Sequence, residues 1–133
     1  MKLKNIIAVS GESGLFELVT TKNSGLILKD PKSGKTSFFS MRAHQFTPLE
    51  TIGIYTMMDT RDIKDIFEIM RSKIADLPLP SVKDDNKKIM SYFVEILPDY
   101  DRDRVYPSDV KKVLKWYKAM EENGFFDAHD EEE

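Results

Sequence analysis

The chain of 133 residues contains no cysteine. That excludes disulfides, thiolate nucleophiles and cysteine-ligated zinc or iron–sulfur sites, and it fits a reducing compartment. Histidine is nearly as scarce. His44 and His129 are the only two, and their separation does not make a metal-binding pair. No run of about 18 apolar residues is present, so no membrane-spanning helix is expected. Leu3 and Ile6–Val9, behind Lys2 and Lys4, make too short an apolar stretch for a signal sequence, and a cytoplasmic location is expected.

What is present is 41% apolar and 32% charged, the composition of one small globular domain or two small halves sharing an interface. The net charge of −3 is unevenly spread. Residues 1–58 hold seven Lys/Arg against four Asp/Glu, and residues 59–133 hold thirteen against nineteen. A basic first half raises an anionic partner as one reading, although the imbalance is small.

Up to Met58 the pattern is that of short strands. Ile6–Val9 is followed by Gly11 and Gly14, which permit a tight reversal. Leu15–Thr21 alternates, with Phe16, Leu18 and Thr20 on one face and Leu15, Glu17 and Val19 on the other. Asn23-Ser24-Gly25 is a hairpin signal. Leu26–Leu28 leads through Asp30-Pro31-Lys32-Ser33-Gly34 to a returning strand, Lys35–Ser40. The longer connection Met41–Glu50 precedes a last strand over Thr51–Met57. Five short strands with tight turns predict a small five-stranded antiparallel SH3-like β-barrel over residues 1–58.

From Asp59 the period becomes helical. Ile63, Ile66, Phe67, Met70 and Ile74 form one stripe, with Asp59 and Thr60 as caps and Leu77-Pro78-Leu79-Pro80 as the stop. Ser81–Asp85 starts a second helix, which carries Ile89, Met90, Phe93, Val94, Ile96 and Leu97 up to Pro98. The third is expected over Ser108–Asn123, with Ser108 as N-cap and Gly124 as terminator. Its apolar stripe runs through Val110, Val113, Leu114, Tyr117 and Met120, with Trp116 on the flank. Lys111, Lys112, Lys115 and Lys118 lie opposite, as a solvated face. The expected layout is therefore α+β: the barrel, a three-helix part over residues 59–126 packed on it, and a mobile acidic tail over 127–133.

Few motifs point to chemistry. Gly34-Lys35-Thr36 ends like a phosphate-binding loop, but Lys29 stands where the first glycine belongs, and strands rather than a helix flank it. Asp99, Asp101 and Asp103 alternate as in a calcium loop. The sixth and twelfth positions are Arg104 and Val110, so the turn and the bidentate ligand are missing. The stretch reads instead as a loop of carboxylates and guanidiniums fastened by Tyr100, Val105 and Tyr106. No nucleophile elbow or paired carboxylate site stands out, so no enzymatic activity, no catalytic residue, no metal and no cofactor is expected.

Three segments resemble a known family: Ile7–Gly11 with Gly14–Phe16, Leu49–Thr56, and most specifically Leu97–Tyr117, Leu-Pro-Asp-Tyr-Asp-Arg-Asp-Arg-Val-Tyr-Pro-Ser-Asp-Val-Lys-Lys-Val-Leu-Lys-Trp-Tyr. The chain is similar over residues 1–122 to an uncharacterised bacterial family, a domain of unknown function with a small N-terminal β part and a helical C-terminal part. The resemblance implies a cytoplasmic bacterial protein and supports the two-part layout. It brings no activity and no functional residue.

The reading that follows is a non-enzymatic binding module whose β half holds a protein or peptide partner. Such grooves are lined by aromatics, and Phe38, Phe39, Phe46 and Tyr55 are the candidates, two of which must face the core. The alternative is RNA or single-stranded DNA binding by the same half, with Lys22, Lys29, Lys32, Lys35 and Arg42 on phosphates and an exposed Phe stacked on a base.

Overall fold

The computed structural model describes residues 1–128. Five strands form one antiparallel sheet: β1 (Ile6–Val9), β2 (Phe16–Lys22), β3 (Gly25–Lys29), β4 (Thr36–Ser40) and β5 (Phe46–Pro48), in the order β4-β3-β2-β1-β5. The first four are successive hairpins, and β5 returns to pair with β1 through Val9–Phe46 and Ile7–Pro48.

The fifth strand is not the expected one. Phe46–Pro48, read as connection, completes the sheet, whereas Gly53–Tyr55 (β6) pairs with Thr60–Asp62 (β7) in a separate hairpin. A 3-10 turn, Leu49–Thr51, divides the two, with Leu49 fully buried at its start. The alternation expected along β2 also fails. A bulge between Leu18 and Thr20 shifts the register against β3 and leaves Val19 exposed.

Three helices follow: α1 (Ile63–Lys73), α2 (Asn86–Ile96) and α3 (Pro107–Glu122). Helix α1 starts later than Asp59 because Thr60–Asp62 is taken by β7, and Asp62 sits at its N-cap. Helix α2 starts only after the expected Ser81–Asp85, because the Asp85 carboxylate caps it there by accepting the Lys88 N–H at 2.8 Å. Helix α3 begins one residue before the expected N-cap. Pro107 occupies its first position, where a missing N–H costs nothing, and Asp109 Oδ2 accepts the Tyr106 N–H at 2.9 Å. Its end is as read. Gly124 has φ +71°, and the Phe125 and Gly124 N–H groups donate back to the Met120 and Glu121 carbonyls at 2.9 and 3.2 Å.

The chain divides into two compact units, one comprising Met1–Ile52 with the chain from Ala119 onward, the other Gly53–Lys118. In the first, Ile7, Val9 and Leu28 form a buried cluster on one face of the sheet, flanked by Phe16, Leu18, Leu26, Phe39 and Phe46. In the second, Ile63, Ile66, Phe67 and Met70 of α1 are buried, as are Ile89, Tyr92, Phe93 and Ile96 of α2 and Val110, Val113, Leu114 and Tyr117 of α3. Phe67 meets Tyr117 edge-on, with ring centroids 6.0 Å apart. Trp116 is half-buried, as its place on the flank implied. The expectation for the acidic tail falls, for residues 129–133, outside the described residues.

Candidate functional site

The aromatic face of the five-stranded sheet is built by the strand period. Residues opposite one another in the ladder point to the same side, so the pairs Ile7–Phe16, Val9–Phe46, Leu18–Leu28 and Leu26–Phe39 share one face. Phe16 and Phe39, on strands separated by β3, lean together with ring centroids 5.2 Å apart. The segment Met41–Gln45 runs from the end of β4 to the start of β5. There the His44 ring sits edge-on to Phe39, 5.4 Å away, with Nδ1 3.1 Å from the Ser10 carbonyl. Ser10 anchors the crossing further: its N–H donates to the Gln45 carbonyl at 3.0 Å, and its Oγ accepts the Gln45 N–H at 2.7 Å.

At one end of this face lies a pocket of about 320 Å³, floored by Phe16, Leu28 and Phe39 with Ser37 beside them. Its rim comes from two loops at the same end of the sheet. The β1–β2 loop contributes Glu12 and Ser13, and the β3–β4 loop contributes Asp30, Ser33 and Lys35. The second loop is held by its own turn. Asp30 Oδ1 accepts the Lys32 N–H at 2.9 Å, the Asp30 carbonyl accepts Gly34 N–H at 2.7 Å, and Asp30 N–H donates to the Lys35 carbonyl at 2.9 Å. The result is a greasy floor under a rim of both charge signs and two hydroxyls, suited to an apolar side chain with a polar neighbour.

The four aromatic candidates separate. Phe39 and Phe46 belong to the inner face, and Phe39 lines the pocket. Phe38 points to the opposite face, half-exposed, with its ring lying across Gly25. Tyr55 belongs to the second unit, where Arg104 stacks on it with Cζ 4.3 Å from the ring centre.

The five basic candidates do not form one track. Lys22 and Arg42 stand at the hairpin end of the sheet, where Met41 N–H donates to the Ser24 carbonyl. Lys29, Lys32 and Lys35 stand at the other end, beyond the length of β3. Lys32 is engaged by Glu122 at 2.8 Å, and hydrogen bonding to that carboxylate holds the ammonium above its ordinary pKa.

Glu12, Ser13, Phe16, Asp30, Ser33 and Ser37 line the pocket without having been singled out in the sequence. The available signal was topological: both loops connect hairpins that reverse at the same end of the sheet.

The second unit keeps the carboxylate–guanidinium loop, and Tyr100 and Val105 are buried beneath it as read. Tyr106 is not; it is 59% exposed. Arg102 lies over the Tyr100 ring at 3.9 Å, and Asp101 holds Arg104. These cations are spent on the loop's own structure. Among the described residues no three His, Asp or Glu side chains gather as metal ligands.

A five-stranded antiparallel sheet followed by three helices is the class of fold that this geometry defines. Residues 52–120 match the model of a domain of unknown function, DUF6852, over more than half of the chain, and the protein belongs to that family. Residues 3–49 match a second domain of unknown function, DUF5606. The chain is also similar to a protein of Bacteroides vulgatus whose solution NMR structure was solved in structural genomics. The two are 27% identical with a TM-score of 0.76, over 93% of this chain and 89% of that one. No curated protein matches.

Proposed function

We propose that this protein is a non-enzymatic module that holds a peptide segment of a protein partner against the inner face of its β unit. The observation that carries this reading is the pocket floored by Phe16, Leu28 and Phe39, whose rim is drawn from two separate hairpin loops. In the same reading the sheet is an SH3-like barrel left open between its edge strands. Two features support that: β5 pairs with β1, and Met41–Gln45 crosses between the edges. Among the described residues no helix is long and apolar enough to cross a membrane, and we assign the module to the cytoplasm.

Nucleic acid has less support, because Lys22 and Arg42 are separated from Lys29, Lys32 and Lys35 by the length of a strand, and Lys32 is engaged by Glu122.

The test is selection from a displayed peptide library, followed by NMR titration of the 15N-labelled protein. Selected peptides should shift the amides around Phe16, Leu28, Lys35 and Phe39, and Phe39→Ala should weaken them at least tenfold. Shifts confined to other residues would overturn the reading. So would tighter binding of mixed-sequence RNA with an affinity that falls steeply as salt rises.

A further inference from the structure

The two edges of the five-stranded sheet are finished differently. β5 is three residues long and ends on Pro48, and a short strand ending on a residue without an N–H is poor at recruiting another. β4 is five residues, Thr36-Ser37-Phe38-Phe39-Ser40, with no charge, no proline and no bulge in its pairing with β3. Thr36, Ser37 and Phe38 are exposed, and β4 has no neighbour on its far side in the sheet.

The hydrogen-bond phase of that edge can be read off. Asp30 N–H donates to the Lys35 carbonyl and Met41 N–H to the Ser24 carbonyl, both at 2.9 Å, and the register between them is unbroken. Residues 35, 37, 39 and 41 therefore spend their backbone groups on β3, while Thr36, Phe38 and Ser40 turn theirs outward. The Ser40 carbonyl is already engaged by the Ala43 and His44 amides. That leaves both groups of Thr36, both groups of Phe38 and the Ser40 N–H facing outward.

We propose that this edge pairs with the same edge of a second copy, antiparallel, about a two-fold axis at Phe38. The register argues for a second copy over an unrelated strand. Centred there, Phe38 meets Phe38 and Thr36 meets Ser40, so the residues in phase to bond are the ones that face each other. Further out Lys35 meets Met41 and Gly34 meets Arg42, so no like charges oppose across the seam. The contact is isologous and closes at two copies. It joins two sheets into one of ten strands, and since paired residues share a side, both Phe16–Phe39 pockets open on the same side. This inference does not depend on what the pocket binds.

Light scattering behind size exclusion, over a dilution series, tests it. The wild-type chain should approach twice its 15.4 kDa at high concentration. Phe38→Lys and Phe38→Glu each put like charges on the axis and should run as monomers, and an equimolar mixture of the two should recover the doubled mass. Hydrogen exchange on the wild-type chain provides a readout without substitution. The outward amides of Thr36, Phe38 and Ser40 should be protected at high concentration and lose at least tenfold of that protection on dilution. A wild-type mass that stays at 15.4 kDa at the highest concentration reached would overturn the proposal. A dimer indifferent to both substitutions, or a foreign peptide seated on β4 of a chain that remains monomeric, would do the same.

Discussion

The Arg104 guanidinium is held between two groups of its own unit: the Asp101 carboxylate, 2.8 Å from its Nε, and the Tyr55 ring, whose centre lies 4.3 Å from its Cζ. Asp101 also accepts the Asp103 N–H at 2.8 Å, and its own N–H donates to the Tyr55 carbonyl at 2.9 Å. Asp101 thus ties the Leu97–Tyr106 loop to hairpin β6–β7, directly through its backbone N–H and indirectly through the Arg104 that its carboxylate holds on Tyr55.

The hydrogen bond from Arg104, followed by that from the Asp103 amide, holds the Asp101 carboxyl below its ordinary pKa. A group depressed on folding stabilises the native state above its unfolded pKa, and that contribution is lost as pH falls through the folded value. Asp101→Asn should lower the urea midpoint at neutral pH, and the gap from wild type should close on acidification. A gap that stays constant into the acid range would show that the charge is not what matters.

Gly25 is required by a close approach. A Cβ there would come within 2.9 Å of the Phe38 ring and overlap the Phe39 carbonyl oxygen, a backbone atom that cannot yield without disturbing β4. Gly25→Ala should destabilise the protein by about 1–3 kcal/mol, as overpacking does. Equilibrium urea unfolding measures this directly.

Tyr92 is buried, and its hydroxyl has no hydrogen-bond partner among the described residues. Burial, with Tyr117 nearby, pushes its pKa far above the ordinary phenol value, so it stays neutral throughout the physiological range. Since the ring packs and the hydroxyl is desolvated without compensation, Tyr92→Phe should be neutral or stabilise by up to about 1 kcal/mol. A loss greater than that in a thermal melt would reveal a bond to the hydroxyl.

Phe67 has no exposed surface and packs against Tyr117, whereas Trp116 is only half-buried on α3. Phe67→Ala should cost about 3–5 kcal/mol and Trp116→Ala less than half of that, despite the larger ring. Comparing both variants in one urea series checks the order.

Much of the fold was legible because its signals are local. Gly124 takes the left-handed position that its place after Asn123 suggests, and Asn23-Ser24-Gly25 makes the hairpin. The errors share a cause. Phe46–Pro48 is too short to carry a period of two, and its partner β1 is about forty residues away, so nothing beside it marks it as a strand. Thr51–Met57 has the better pattern, but its pairing with Thr60–Asp62 was hidden by the helical stripe that begins at Ile63. The pocket was half visible: Phe39 and Lys35 were in view, but Glu12, Ser13 and Asp30 meet them only once two hairpins reverse at the same end.

What the chain determined by itself was the kind of element at each stretch and most of its ends, since caps, turns and periodicity act between residues within a few positions of one another. Tertiary structure alone decided which strand closes the sheet, which aromatics share its inner face and which edge was left open. Those outcomes depend on pairing between distant segments, where a register difference of a single residue reverses the side on which every side chain stands.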